Sequence, residues 1–283
     1  MGGREFEVMD PAVVWELRGL LGDVAELQRR LEAALRAPAA LSSLAAVDDA
    51  LPDARFVSLY AGQALTVAID HLNAWRLLVN GPEFPILAHL TLLRGALEGA
   101  VRCRWHVDAA VDSGTRVGRG FAARRDDQDE RRKFEASPEG GARSPQQARG
   151  LSAVRRLAEL DELEAVEARE AVGIRAVAFT DTTSLMVAYG HERWFRLASG
   201  LAHGKEWALV ATALEELAGP PPEPKVGHGV ISASEPVAVA LTGVAVTAVQ
   251  IALAELAAYR SAPPSGRPQV SREATAAYGR DVW

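Results

Sequence analysis

The segment from 237 to 254 restricts the fold more than any other part of the chain, because it contains no charged residue. About 18 apolar residues is the lower limit for a membrane span. The segment consists mostly of alanine and valine, with Thr242, Gly243 and Gln250 among them. Alanine contributes little to membrane insertion, and glutamine opposes it. We therefore expect a buried helix from about 234 to 259 in a soluble bundle, and no membrane span.

The composition favours helix throughout. Of the 283 residues 48% are hydrophobic and only 6% are aromatic, and long β-branched runs are scarce. Alanine and leucine, which dominate, are strong helix formers. The sequence therefore predicts an all-α protein, a bundle of about six or seven helices.

Charge and cysteine content exclude some classes of protein. The net charge of −6 argues against a broad surface for duplex DNA. A single cysteine, Cys103, allows no intramolecular disulfide and no cysteine-based zinc site. The start, MGGREFEVMD, is acidic and lacks the apolar core of a signal peptide, so we expect a cytoplasmic protein.

Helix start and stop signals divide the chain into three regions. Residues 1–53 are predicted to hold one long amphipathic helix, from Pro11 to just before Pro38, and a linker with a short helical turn. Residues 54–260 are predicted to form the bundle core, and 261–283, rich in Pro, Ser, Gly and Arg, a loose tail. The bundle helices are predicted at about 55–79, 83–111, 116–136 (charged and solvated), 145–172, 181–217 and 234–259, with 83–111, 181–217 and 234–259 at the centre.

The most informative motif lies in the segment GHERWFRLASGLAHGKEWAL at 190–209. On a helix, Glu192, Arg196, Ser199 and His203 fall within about 60° of each other, at about 100° per residue. The apolar neighbours Phe195, Leu197 and Leu201 indicate that the rest of this helix is packed. A polar stripe on a packed helix must find partners or perform chemistry.

Arg196 and His203 are the residues of this stripe that could perform chemistry. They lie two turns apart, about 10 Å along an ideal helix axis, so both side chains could address one phosphodiester. Arginine can hold a phosphate bidentately, and histidine can move a proton near neutral pH. Together they suffice for metal-independent RNA cleavage with the ribose 2′-OH as nucleophile. The alternative is a structural role, with the histidine bonded to a carbonyl and Arg196 paired with Glu192.

An all-helical chain with Arg-x6-His on a late helix resembles the HEPN superfamily of helical ribonucleases and nucleotide-binding domains. The segments FRLASGLAHG and LLRGALE are similar to those of bacterial proteins near that superfamily. The resemblance implies that Arg196 holds the phosphate, that His203 is the acid/base and that Ser199 supports the motif. It also implies RNA or a nucleotide as ligand, and a homodimer in which both motifs face one cleft. Leu197 is a departure, since active members often carry a polar residue after the arginine.

A second pair, Arg94 and Glu98, lies at i,i+4 on the most apolar predicted helix. Opposite charges in such a position are expected to be paired and buried. They could lock helix register, in contact with Arg196 or Glu192. Alternatively, Glu98 could orient Arg196 or His203. Two further arginines could extend this face, Arg102 and Arg104.

A metal site is the weakest of the chemical hypotheses. His71, His89, His106, His203 and Glu98 all lie on predicted helices. The sequence has no Glu-x-x-His pair as in di-iron bundles and no His-Glu-x-x-His motif. We therefore expect no metal and no other cofactor.

Three functions are compatible with these features. The leading hypothesis is a HEPN-like metal-independent endoribonuclease of a toxin, defence or stress system. The second is a non-enzymatic helical assembly protein in which an Arg/Glu/His network is structural. The third is a small-molecule or metal-using enzyme with a pocket inside the bundle.

Overall fold

A computed structural model describes residues 10–51, 54–81, 87–136, 171–212, 214–216, 229–231 and 234–261. These residues form an all-α bundle, so the predicted fold class is confirmed. The helices are α1 (Pro11–Leu21), α2 (Val24–Arg36), α3 (Leu44–Asp48), α4 (Arg55–Val79), α5 (Ala88–His106), α6 (Ser113–Ala136), α7 (Thr182–Ala188), α8 (Glu192–Ala202), α9 (Glu206–Thr212) and α10 (Glu235–Ser261). A short antiparallel ribbon pairs β1 (Leu214–Glu216) with β2 (Gly229–Ile231), Glu215 opposite Val230.

Helix α5 lies at the centre of the bundle and packs against α4, α10 and α8. The α4–α5 approach is close, because a Cβ atom on Gly99 would lie 2.3 Å from the carbonyl oxygen of Ala64. Glycine is the residue that permits such an approach between two backbones. The indole Nε1 of Trp75 on α4 donates to Thr242 Oγ1 on α10 at 2.9 Å, which joins the third central helix to the pair.

Helix α10 is the apolar segment that was predicted to be buried. It is long and apolar enough to cross a membrane by length and composition, but 72% of its most apolar window is buried inside the protein. Leu241, Val249 and Leu253 are at most 1% exposed. This burial is consistent with a soluble protein.

The N-terminal amphipathic helix is not one continuous helix. It breaks into α1 and α2 at Gly22 and Asp23. Glycine is a poor helix former, and Asp23 precedes the second helix as its N-cap residue. The apolar stripes of both helices still join the common core; Leu17 and Leu31 are at most 1% exposed.

The prediction that 116–136 is a solvated helix is wrong for part of α6. The side chain of Arg116 is only 2% exposed, and Gln128 is 1% exposed. Charged residues dominate the second half of the segment, so the sequence pattern did not predict the buried face of this helix. The i,i+3 ion pair between Lys133 and Glu130 does lie at the surface, as expected for a solvated face.

The predicted helix at 181–217 is wrong as a single element, because it consists of α7, α8 and α9 followed by β1. Gly190 and Gly204 have φ angles of 78° and 62°, a left-handed conformation that ends each of the first two helices. In both cases the next backbone N–H bonds back to the final turn, His191 to Met186 O and Lys205 to Gly200 O, each at 2.8 Å. The sequence contained this signal, since glycine is the usual residue after a helix end.

Other predicted boundaries need smaller corrections. The predicted helix 83–111 is shorter as α5, and Pro85 precedes its start. The helix 55–79 and the short turn at 44–48 agree with α4 and α3. The predicted helix 145–172, except its last two residues, and the tail beyond Ser261 lie outside the described residues.

Candidate functional site

Helix α8 carries the Arg-x6-His motif and packs on α5 through its apolar face. Phe195 and Leu197 are each 6% exposed and Leu201 is 2% exposed, as the sequence pattern indicated. Gly200 on the same helix lies beneath the indole of Trp207 from α9. The burial of one face fixes which side of α8 can meet a ligand.

The polar stripe occupies the opposite face. The side chains of Arg196 and His203 are exposed, and Glu192 and Ser199 are half-buried. The backbone N–H of His203 donates to the carbonyl oxygen of Ser199 at 3.1 Å, so helical geometry extends to His203 at the C-cap. The motif residues therefore share one face of one helix.

Arg196 is held by its neighbour one turn earlier. Its Nε donates to Glu192 Oε1 at 2.8 Å, and the two side chains are 59% and 41% exposed. An exposed pair of this kind contributes little to stability, about 0.2–1 kcal/mol. The contact orients the guanidinium and uses only its Nε edge.

Arg94 and Glu98 form the predicted ion pair, with Nη2 of Arg94 2.9 Å from Oε1 of Glu98. Their side chains are 27% and 32% exposed, so the pair is half-buried rather than buried. The Arg94 guanidinium lies 5.2 Å from the ring centre of Phe195 on α8. No hydrogen bond or ion pair within the described part of the chain joins this pair to Glu192, Arg196 or His203. The expected direct link is therefore replaced by packing on Phe195.

Arg102 and Arg104 do not extend that face together. Arg102 donates to the carbonyl oxygen of Thr180 and to Thr182 Oγ1, and its guanidinium lies 4.3 Å from the Phe179 ring centre. Arg104 makes two hydrogen bonds of 3.0 Å to Glu255 on α10. The first arginine faces a groove and the second fastens α5 to α10.

The groove lies between α4, α5, α6 and the segment that leads into α7, and has a volume of about 450 Å³. Sites for small molecules commonly have volumes of about 300–1,000 Å³. Gly95 and Gly99 form part of its wall, and two aromatic rings, Tyr60 and Phe179, contribute to the lining. The ionisable lining residues are Tyr60, His71, Glu98, Arg102, His106, Asp126, Asp127 and Glu130.

Carboxylates are the most numerous charged groups among the described residues that line this groove. Four acids and one arginine are among them, and three of the acids, Glu98, Asp127 and Glu130, pair with basic side chains. Asp126 is half-buried, and this burial, together with the nearby charge of Glu130, raises the pKa of its carboxyl group. Asp126 makes no hydrogen bond or ion pair with the described side chains, so it is available to a ligand.

His106 adds a neutral polar group to the groove. It is 2% exposed, and its ring stacks on Tyr60 with centres 5.9 Å apart. Burial, reinforced by the charges of Arg102 and Arg119, lowers its pKa from 6.5 to about 3. The Nδ1 atom is buried and has no hydrogen-bond partner. A buried polar atom without a partner is rare and requires an explanation.

The five residues considered as metal ligands are dispersed. His71, Glu98 and His106 line the groove, while His89 stacks on Trp75 with ring centres 4.9 Å apart and His203 lies at the end of α8. Within the described ranges, no group of three or more His, Cys, Asp or Glu side chains is arranged to hold a metal ion.

A buried network outside the motif has no signal in the sequence. Asp48 Oδ2 accepts from Arg116 Nε at 2.8 Å and from the Tyr259 hydroxyl at 2.9 Å, while Oδ1 accepts from Arg116 Nη2 and Ser113. Asp48 is 0% exposed. The network joins α3, α6 and α10. Each carboxylate oxygen already accepts two hydrogen bonds, so the network is structural. Its partners are far apart in sequence, and no local pattern indicates it.

Comparison with known proteins identifies no family for this chain. The chain matches no protein-family model, no curated protein sequence and no solved structure.

Proposed function

We propose that this protein is a HEPN-like, metal-independent endoribonuclease that uses Arg196 and His203. The observation that carries the proposal is the exposure of both side chains on one face of α8, whose opposite face is buried on α5. Burial of both would have favoured a purely structural role for them. The resemblance of FRLASGLAHG to the superfamily motif supports the same assignment.

The chemistry follows from the two groups. The ribose 2′-oxygen attacks phosphorus, His203 takes the 2′-OH proton, and the bond from phosphorus to the 5′-oxygen breaks. Arg196 stabilises the negative charge that develops on the phosphoryl oxygens. The contact with Glu192 uses Nε, which leaves the Nη groups to address the phosphate. The leaving 5′-oxygen receives a proton from water, His203 returns the proton it took to water, and the products are a 2′,3′-cyclic phosphate and a 5′-hydroxyl.

A homodimer belongs to this proposal. Helix α9 follows the motif directly and exposes two apolar side chains, Trp207 at 55% and Val210 at 58%. Exposed apolar surface beside a site commonly marks an interaction face. Pairing through α9 would bring two copies of the motif to one cleft. An RNA-directed role in a toxin, defence or stress system, in the cytoplasm, completes the proposal.

Cleavage of RNA in EDTA by the purified wild-type protein, His203→Ala and Arg196→Ala tests the assignment. We expect the histidine variant to lose about 10²–10⁴-fold in rate and the arginine variant about 10²–10³-fold. Lys205→Ala, which removes an exposed charge two residues after His203, serves as the matched control and should keep wild-type activity. Circular dichroism verifies that each variant is folded.

Two outcomes would contradict the nuclease assignment. If wild type cleaves none of a range of RNAs, or if folded His203→Ala cleaves as fast as wild type, the motif is not a nuclease site. The groove between α4, α5 and α6 is the observation that favours the third hypothesis, a small-molecule function.

A further inference from the structure

The groove between α4, α5 and α6 is a second site, independent of the Arg-x6-His motif. Its volume of about 450 Å³ is larger than that of a single side chain, and its lining combines carboxylates, aromatic rings and a buried imidazole. Another cavity, of about 480 Å³ between α2 and α4, is lined mostly by apolar and amide side chains, and Asp70 is its sole ionisable residue among those that the structure describes. The groove is therefore the better candidate for a specific ligand.

We propose that this groove binds a small organic molecule that bears a primary ammonium group, held by Asp126 and His106. Glu98, Asp127 and Glu130 each pair with a basic side chain, whereas the half-buried carboxylate of Asp126 has no such partner among the described side chains and can attract a cation. Arg102 already donates to the Thr180 carbonyl and Thr182 and lies over Phe179, so it does not pair with Asp126 through a hydrogen bond.

His106 makes the site more than an acidic surface. Its Nδ1 is buried without a partner, and the ring lines the groove. The low pKa keeps the imidazole neutral, so a ring nitrogen can offer a lone pair. An ammonium group supplies three N–H donors, which suits a carboxylate and an imidazole nitrogen at once.

The shape and donor set argue against a metal ion. No three His, Cys, Asp or Glu side chains converge in the described part of the chain, although Glu98 and His71 also line the groove. Glu98 is occupied by Arg94 at 2.9 Å. The aromatic ring of Tyr60 and the small residues Ala64 and Gly99 provide apolar contact for the carbon chain of an organic ligand.

The test uses 1,4-diaminobutane as the probe, with 1,4-butanediol and succinate as neutral and anionic analogues of similar length. Isothermal titration calorimetry measures binding to the full-length wild-type protein and to Asp126→Asn, a substitution that removes the charge and keeps the shape. We expect the diamine alone to bind, and Asp126→Asn to weaken it by about tenfold or more. The matched control, Asp129→Asn, changes a carboxylate of the same helix that pairs with Arg132 instead of lining the groove, and should bind as wild type does.

A second measurement needs no variant. In protein labelled with ¹⁵N-histidine, addition of the diamine should move the ring-nitrogen resonances of His106, assigned by comparison with a folded His106→Gln protein. Absence of diamine binding would overturn the proposal, as would equal weakening by Asp126→Asn and Asp129→Asn. Binding that leaves the His106 resonances unmoved, or binding of succinate or Mg²⁺ in preference to the diamine, would also overturn it. None of these outcomes depends on RNA cleavage.

Discussion

At the scale of single residues, the protein contains two kinds of buried polar group. Asp48 and Arg116 are buried as a charged pair, and each carboxylate oxygen of Asp48 accepts two hydrogen bonds. Removal of one partner of such a pair typically costs about 3–5 kcal/mol, because the other charge is left alone. His106 and His191 are instead buried as neutral groups, with ring nitrogens that have no hydrogen-bond partner.

These two histidines predict a loss of stability in mild acid. Burial lowers the pKa of His106 to about 3 and that of His191 to about 4, with contributions from nearby arginines, whereas the unfolded chain titrates near 6.5. Above pH 6.5 both histidines are neutral in the folded and in the unfolded chain, so they do not lower the free energy of unfolding. As the pH falls toward 4, the histidines bind protons in the unfolded state but not in the folded state. The free energy of unfolding therefore falls by about 1.4 kcal/mol per pH unit for each histidine.

Urea denaturation between pH 5 and 7.5, above the range in which most carboxylates titrate, measures this slope. His191→Phe replaces an imidazole without partners by an apolar ring, and should reduce the slope by about half. A wild-type free energy of unfolding that stays constant across this range would contradict the assignment of both histidines as buried and neutral.

At the scale of elements, the sequence predicted those helices that begin and end with local signals. Helix α4 ends at Asn80-Gly81, and α10 begins after Ser234, as the capping residues indicated. The breaks at Gly190 and Gly204 were missed because the residues around them keep an apolar helical pattern. The groove could not be predicted at all, because Tyr60, His106 and Asp126 meet only when three helices pack.

The close approach of α4 and α5 yields a prediction at this scale. Gly99→Ala would place a methyl group 2.3 Å from the Ala64 carbonyl oxygen, so the helices must separate. We expect a loss of about 1–3 kcal/mol in the free energy of unfolding, measured by urea denaturation.

Gly19→Ala is the matched control for that substitution. Apart from its chain neighbours and the backbone of α1 itself, nothing lies within 4 Å of the Cβ that this substitution would add, so it should be neutral or stabilise by up to about 1 kcal/mol. Equal effects of the two substitutions would contradict the close α4–α5 contact.

At the scale of the whole molecule, helices from both ends of the described chain share one core. Leu17 of α1 and Leu256 of α10 are both 0% exposed and belong to the same apolar cluster. The predicted division at residue 53 stays a prediction. The proposed homodimer would use the apolar surface that α9 exposes at Trp207 and Val210.

The proposed homodimer predicts a specific effect of Val210→Glu, which places a charge on the exposed face of α9, the helix that follows His203. We expect light scattering after size-exclusion chromatography to give a dimer mass for wild type and a monomer mass for this variant, with RNA cleavage reduced in parallel. Leu77→Glu on α4 is the control, since Leu77 is 60% exposed against 58% for Val210. A monomeric wild-type protein, or a dimer that Val210→Glu leaves intact, would contradict pairing through α9.

The most direct measurement of the central proposal compares two oligonucleotides in EDTA, an RNA with a mapped cleavage position and the same RNA with a 2′-deoxy nucleotide at that position. Arg196 and His203 as assigned use the 2′-oxygen as nucleophile. The RNA should therefore give a 2′,3′-cyclic phosphate, and the deoxy-substituted strand should stay intact. Cleavage of both strands at similar rates, or cleavage that appears only with a divalent metal, would contradict the account.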